Sequence, residues 1–408
     1  MDDRTLYQTI LGVQPPWRVG EVEVQAAAET VLVRLELDEG TTLRCPTCGT
    51  ATPGYDRAEE RRWRHLDTCQ YQTVVVARVP RVRCPTHGVH QVRVPWAEER
   101  GRFTLLFEAW ALRLLEETTL AGLARVLRIS WGEAEGILAR AVARGVARRG
   151  REPVRFLGVD ETSFQKRYEY VTVVADLEGK RVLWVGDHRR QETLAGFYAE
   201  LAAAQRAAIE EVVLDMWDPY IAATREALAD GMARIVFDRY HVMHHLNRAV
   251  DEVRRQEQRA LRRQGDERLT GTKYLWLRGA AQQRTADVRH LRGLAATGLK
   301  VGRAWALKEA ARRLWTYRSA TWARRFFDRW FAWAVRSRLP AIIRVARMMK
   351  RFLDGILGYL RHHHTNALAE SLNAKIQELK YRARGYRNRA NFRRAILFHC
   401  GGLNLDPR

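Results

Sequence analysis

The chain is short of three things, and each shortage removes a class of protein. It has only five cysteines in 408 residues, an odd number. A disulfide framework is therefore not expected, and the thiols are left for metal binding. It has no uninterrupted apolar run near the roughly 20 residues of a membrane helix. Its first residues, MDDRTLYQTILG, lack the basic and apolar regions of a leader. A cytoplasmic protein with no membrane partner is the expectation. Acid is also scarce: 47 Asp and Glu stand against 70 Lys and Arg, a net charge of +23. An excess of that size implies a polyanionic partner, most often nucleic acid. Hydrophobic residues, 46% of the chain, suffice for several packed cores.

The cysteines that are present are ordered. Cys45-Pro46-Thr47-Cys48-Gly49 is a tight knuckle that aims two thiolates at one ion, and Cys84-Pro85-Thr86-His87-Gly88 repeats it with histidine last. Together they predict a structural tetrahedral zinc site of Cys45, Cys48, Cys84 and His87. The strand-like stretches TVLVRLEL (30–37), QYQTVVVARVPRV (70–82) and HQVRVPW (90–96) surround it. Cys69, His65 and His90 rank below these four, and Cys69 reads as a small buried residue.

From Arg102 the pattern turns helical. Helices are expected over 103–115, 119–130 and 131 to about 147, the last opened by the capping box of Ser130 and Glu133. A short turn at Arg128-Ile129 gives a helix-turn-helix layout, although an ordinary helical linker has the same pattern. The basic Arg140, Arg144, Arg148 and Arg149 favour DNA contact. Arg151-Glu152-Pro153 marks a boundary.

FLGVDETSF (156–164) is an apolar strand that delivers one carboxylate, Asp160. YVTVVADL and KRVLWVGDH continue it as an antiparallel meander. A helix from Gln191 to about Ala208 leads to IEEVVLDMWDPY, a strand ending at Asp215, and ARIVFDRYHV is a fifth strand ending at Asp238. That order is the order of a ribonuclease-H-like sheet, in which the first and fourth strand ends lie side by side. Asp238 remains a rival to Asp215, as a second layer or a DNA-positioning group. Glu161 alternates to the other face of its strand, and Asp176 and Asp187 read as solvated turn residues.

Residues 243–360 interrupt this fold with helical sequence. Between Arg239 and Ala369 there are 29 Lys or Arg and 9 Asp or Glu, so DNA contact is expected there. Its six tryptophans read as core anchors. A last helix, from near Thr365, places Leu368, Leu372, Ile376 and Leu379 on one stripe and Asn366, Glu370, Asn373 and Gln377 opposite. Downstream, Lys380, Arg382, Arg384, Arg387, Arg389 and Arg393 alternate with aromatics, a pattern that fits a nucleic-acid backbone. His362-His363-His364 reads as a hinge or phosphate contact.

Asp160, Asp215 and Glu370 are hard oxygen ligands suited to Mg2+ or Mn2+. Two such ions roughly 4 Å apart are suited to phosphodiester cleavage. The succession CPTCG, WRHLDTCQY, ARVPRVRCPTHG, VPWAEERGRFT, GVDETSF, LDMWDPY, FDRYHV and NALAESLNAKIQELKYRARGYRNRANFRRA resembles the insertion-sequence transposases of the ISL3 family, over almost the whole chain. The resemblance implies a zinc-binding segment, a helix-turn-helix and a DDE domain split by a helical insertion, with Asp160, Asp215 and Glu370 as the triad. It also implies cleavage at inverted-repeat ends and joining to a target. His87 departs from the family pattern, where a fourth cysteine is common.

The expected fold is thus multidomain α+β: a zinc ribbon (1–100), a helix-turn-helix (101–152), a ribonuclease-H-like core (153–242 and 361–408) and an all-α insertion (243–360). Double-stranded DNA is the expected partner, and a homodimer or larger assembly on DNA is expected because two ends must be handled together. A structure-selective nuclease and a DNA-binding regulator without catalysis are the alternatives.

Overall fold

The computed structural model describes residues 2–150, 152–165, 169–362 and 367–408. They form two units: residues 1–149 with 403–408, and residues 150–402. The side chains of the histidine run at 362–364, with Thr365 and Asn366, fall outside the described residues. No helix among the described residues is long and apolar enough to cross a membrane.

The first unit opens with α1 (Asp3–Ile10), capped by Asp2, and β1 (Trp17–Gln25). Then come β2 (Thr30–Leu37), β3 (Gly54–Arg64), β4 (Gln72–Cys84) and β5 (Gly88–Gln91). The sheet order is β1-β2-β4-β3, with β5 on β4. It is larger than a zinc ribbon, because β1 and the parallel pairing of β2 with β4 extend it. Trp17, Val33, Trp63, Val75 and Val79 bury one face, and Trp96 packs edge-on against both buried tryptophans. The strand expected to reach Trp96 ends at Gln91.

The helical segment follows expectation closely, as α2 (Leu105–Glu117), α3 (Leu120–Leu127) and α4 (Trp131–Arg148). Arg128 ends α3 in the left-handed region, and Ser130 and Glu133 close the capping box. The last six residues join this unit: Leu403 and Leu405 lie against Gly145, where a Cβ would stand 2.8 Å from the Leu403 side chain.

The second unit is built on β6 (Phe156–Gln165), β7 (Glu169–Asp176), β8 (Arg181–Asp187), β9 (Glu211–Leu214) and β10 (Ile235–Phe237). Their order is β10-β9-β6-β7-β8. The first three strands are antiparallel, while β9 runs parallel to β6 and β10 parallel to β9. The expected helix 191–208 is broken into α5 (Gln191–Glu200) and α6 (Ala203–Ala208). Pro219 lies in the first turn of α7 (Asp218–Ala227), and α8 (Gly231–Arg234) precedes β10. The fifth strand is shorter than expected, since Asp238 caps the long α9 (Arg239–Arg262).

The insertion continues through α10 (Lys273–Leu277), α11 (Thr285–Ala296), α12 (Lys300–Arg312), α13 (Ala320–Val335), α14 (Pro340–Arg351) and α15 (Leu353–His362). Trp276, Trp315 and Trp330 anchor its core as expected, whereas Trp322 and Trp333 are exposed. Two helices close the unit, α16 (Ala367–Arg382) and α17 (Arg389–Cys400).

Alternation divides the sheet's side chains between two cores. Leu157, Val159, Val174, Val212, Leu214 and Phe237 share one with α5, α7 and the insertion. Phe164, Val171, Val173 and Ala175 lie under Leu372, Ile376 and Leu379 of α16 and Phe392 and Ile396 of α17. The apolar stripe expected on α16 is the one that packs.

Candidate active site and zinc centre

The two knuckles meet. The ligand atoms of Cys45, Cys48, Cys84 and His87 all lie within 4.8 Å of one another. Cys48 Sγ is 3.7 Å from Cys84 Sγ, and His87 Nδ1 is 3.6 Å from Cys84 Sγ and 4.0 Å from Cys45 Sγ. Zn–S bonds of about 2.3 Å in a tetrahedron put neighbouring sulfurs just under about 4 Å apart, so the set fits structural zinc. Gly49 and Gly88 turn the chain at φ +72° and +78°, positions that favour residues without a Cβ. The Cys48 thiol is lowered to about 6, first by hydrogen bonding with Thr50, whose hydroxyl lies 3.4 Å away, and to a lesser degree by Cys45 and Cys84. The lower-ranked candidates are placed elsewhere. His65 is buried against the Thr104 hydroxyl at 2.8 Å, and His90 contacts the His87 carbonyl oxygen through Nε2. Cys69 is exposed, not buried as expected.

The acids of the second unit are positioned by sheet register. Gly158 of β6 pairs with Val213 of β9, and Phe237 of β10 pairs with Leu214. Two residues on from Gly158 and Val213 stand Asp160 and Asp215, and one residue on from Phe237 stands Asp238. Three adjacent parallel strands therefore bring three aspartates to one level, just past the carboxyl ends of β9 and β10 and midway along the longer β6, on the side where open α/β sheets place their ligands.

Helix α16 is fastened along the same edge. Asn373 Nδ2 donates to Asp160 Oδ2 at 2.7 Å, Gln377 donates to the Thr162 hydroxyl, and Lys380 Nζ donates to the Ser163 carbonyl at 2.9 Å. One turn before Asn373, Glu370 comes under the influence of the aspartates. Its carboxyl is raised by desolvation, then by Asp238 and Asp215, against the pull of His241.

These carboxylates repel one another, and the site shows how the charge is held. Burial, with the Asp215 charge next, pushes Asp160 up to about 7. His241 Nε2 lies 2.9 Å from Asp215 Oδ1. Burial pulls this imidazole down, but the Asp215 hydrogen bond and charge, with Asp160 and Asp238, raise it above its ordinary value. The sequence reading missed this histidine. Its signal is the spacing Asp238-x-x-His241, which sets a side chain in the first turn of a helix capped by the acid: Tyr240 N donates to Asp238 Oδ1 at 3.2 Å. Asp238 thus caps α9 through its backbone, and Asp215 meets the same helix through His241. Among the described residues the Cys3His set alone closes to within 4.8 Å.

Glu161 lies on the opposite strand face, as expected, and pairs with Arg189 Nη1 at 2.6 Å. The Arg189 guanidinium in turn lies 4.0 Å from the centre of the Trp217 ring, two residues beyond Asp215. Asp176, expected to be solvated, is buried and accepts hydrogen bonds from Glu178 N and Gly179 N. Asp187 lies 3.5 Å from Arg393.

Comparison with known proteins assigns the chain. A family profile described as transposase matches residues 157–396. A helix-turn-helix domain of transposase family ISL3 matches residues 92–142, and a zinc finger of IS204/IS1001/IS1096/IS1165 transposases matches residues 41–87. The chain belongs to the ISL3 family of DDE transposases. It is 29% identical over 412 residues to the transposase for insertion sequence element IS1557 of Mycobacterium tuberculosis, covering 94% of this chain and 92% of that protein. It is also 29% identical over 357 residues to the transposase for IS1001 of Bordetella parapertussis, covering 85% and 86%.

In this transposase the basic residues singled out from sequence divide into two groups. Arg140 pairs with Glu108 and approaches Glu98 at 3.7 Å, and Arg144 pairs with Glu98 and donates to the Leu405 carbonyl at 2.9 Å. Both arginines therefore tie the first unit together. Arg389 pairs with Glu169 at 2.9 Å, Arg393 approaches Asp187 and Lys380 holds β6. Arg384 and Arg387 are exposed with no ion pair among the described residues, and Arg382 beside them is exposed too. They flank Tyr381, which is 86% exposed.

Proposed function

We propose that the chain cuts and rejoins DNA at the terminal inverted repeats of its mobile element, with Asp160, Asp215 and Glu370 holding Mg2+ or Mn2+. The observation that carries this reading is the register that levels Asp160 with Asp215 on adjacent parallel strands while α16 brings Glu370 to the same end. An all-oxygen donor set suits a hard divalent ion, and two such ions would activate the attacking water or 3′-hydroxyl and steady the leaving oxygen. Asn373 orients Asp160 through Oδ2, and His241 orients Asp215 and offsets part of the cluster's charge. Asp238 positions α9 and thereby His241.

DNA is bound through the helix-turn-helix and through the exposed Arg382, Arg384 and Arg387 beside Tyr381, where cation and ring suit a phosphate backbone with stacking. Arg140 and Arg144 support α4 from behind instead of touching DNA. The zinc centre holds the first knuckle to the β4–β5 hairpin and so shapes the DNA-reading unit. The working form is a dimer or larger assembly on two ends.

The test is cleavage of DNA carrying the repeats that border the coding region. Wild-type protein is expected to cut at the repeat boundary only with Mg2+ or Mn2+, and Asp160→Ala to lose cutting at least a thousandfold while retaining end binding. Equal cutting of DNA without repeats would indicate a nuclease instead. Binding without any cutting would indicate a regulator.

A further inference from the structure

Helix α9 starts at the carboxylates and runs away from them. Its first turn carries His241 against Asp215, and on the same side later turns carry His245, Arg248 and Arg255. At 1.5 Å per residue, His241 to Arg255 spans roughly 21 Å. Across from this face lies α14, and between the two helices is an open groove of about 320 Å3 lined by His245, Arg248, Arg255, Arg344 and Met348. The small Ala249 and Ala341 form part of its lining and leave it open.

The groove's charge is positive. Glu252, the acid in its lining, is met by Arg344 at 2.7 and 2.9 Å. Arg255 shares Asp251 with Arg254, at 3.1 and 2.8 Å. Arg248 is exposed and has no ion pair among the described residues. The α14 bank returns to the active site, since Arg351 Nη2 lies 2.9 Å from Asp218 Oδ1, next to Trp217. A groove between packed helices, whose axes are typically about 8–10 Å apart, is too narrow for a duplex; a duplex's major groove itself accepts a whole helix.

From this geometry we infer that the α9–α14 groove holds a single DNA strand, the strand that leads away from the phosphate at the carboxylates, with Arg248 and Arg255 contacting successive phosphates. The inference rests on the transposase reading for which DNA is present. Its test does not, because it measures strand binding without cleavage.

Full-length, zinc-loaded protein is titrated by fluorescence anisotropy against a mixed-sequence 20-nucleotide single strand and against the same sequence as duplex, over a range of salt. Arg248→Gln/Arg255→Gln is expected to weaken single-strand binding about tenfold and to lower its salt slope by about 1.4, two contacts at roughly 0.7 each. Duplex binding should stay within twofold, and Arg248→Lys/Arg255→Lys should retain single-strand affinity. Unchanged single-strand binding in the Gln variant would overturn the inference, as would an equal loss for strand and duplex. If the Gln pair alters the melting temperature, Arg248→Gln alone decides, at half the slope change. A protein that binds the strand through these residues but cuts no repeat-bearing DNA would leave the groove standing and remove the transposase reading.

Discussion

Asp160 concentrates the cost of the site. An acid whose folded pKa lies above its unfolded one keeps its proton in the fold over a range where the unfolded chain has released it. With Asp160 raised from 3.8 to about 7, stability falls as pH rises from about 4 to about 7, by up to about 1.4 kcal/mol per unit. Without divalent ions, Asp160→Asn should therefore melt higher than wild type at pH 7.5, the difference vanishing near pH 4. Mn2+ should narrow it at pH 7.5 by stabilising wild type alone. Thermal melts across pH check this, and a difference independent of pH would contradict it. Asp160 and Asp215 were legible as candidates in the sequence because an acid that ends an apolar run is a local pattern, although β6 itself continues past Asp160 to Gln165. Asn373 was placed on the polar face of its helix without a partner, and His241 was given no role, because each contact depends on an element distant in sequence.

The same division holds for whole elements. The capping box of α4, the paired knuckles and the stripe of α16 are written in short spacings, and each formed as read. Helix α1, β1 and the β2–β4 pairing carry weak local signals and owe their place to Trp17, Trp63 and Trp96 packing together. Sequence shows the charge of Arg140 and Arg144, while only the packing shows Glu108 and Glu98 as their partners. The zinc knuckles give a direct expectation: Cys45→Ser should release one zinc per chain by metal analysis and weaken DNA binding by the first unit, since structural zinc contributes to folding. Unchanged zinc content would remove Cys45 from the ligand set. In the insertion, Lys308 is fully buried and donates to the carbonyls of Trp276, Leu277 and Arg278 at 2.7, 3.1 and 3.2 Å, satisfying the end of the short α10. Burial pulls its ammonium down to about 8, opposed by Glu309, so it is charged at neutral pH. Lys308→Met should cost about 3 kcal/mol by stranding those carbonyls, read as an earlier denaturation midpoint in tryptophan fluorescence. An unchanged midpoint would show that the carbonyls find other donors.

At the scale of the molecule, 70 Lys and Arg stand against 47 Asp and Glu, a net charge of +23. Some of the basic residues are neutralised inside each unit, by pairs such as Arg144 with Glu98 and Arg389 with Glu169. Others stay exposed around Tyr381 and along α9 and α14, the surfaces where the proposed DNA would neutralise them. Composition revealed the sum and the partner class, but which arginines are left over follows only from the packing. Against that positive background, Asp160 in β6 and Asp215 after β9 form a negative centre, and the account stands on their holding divalent ions. The direct measurement is Mn2+ binding to the zinc-loaded protein at pH 8, by calorimetry or electron paramagnetic resonance. Wild type is expected to bind Mn2+ beyond its one zinc, and Asp160→Asn and Asp215→Asn each to lose that binding at least tenfold with zinc retained. Mn2+ binding unchanged in both variants would contradict the account.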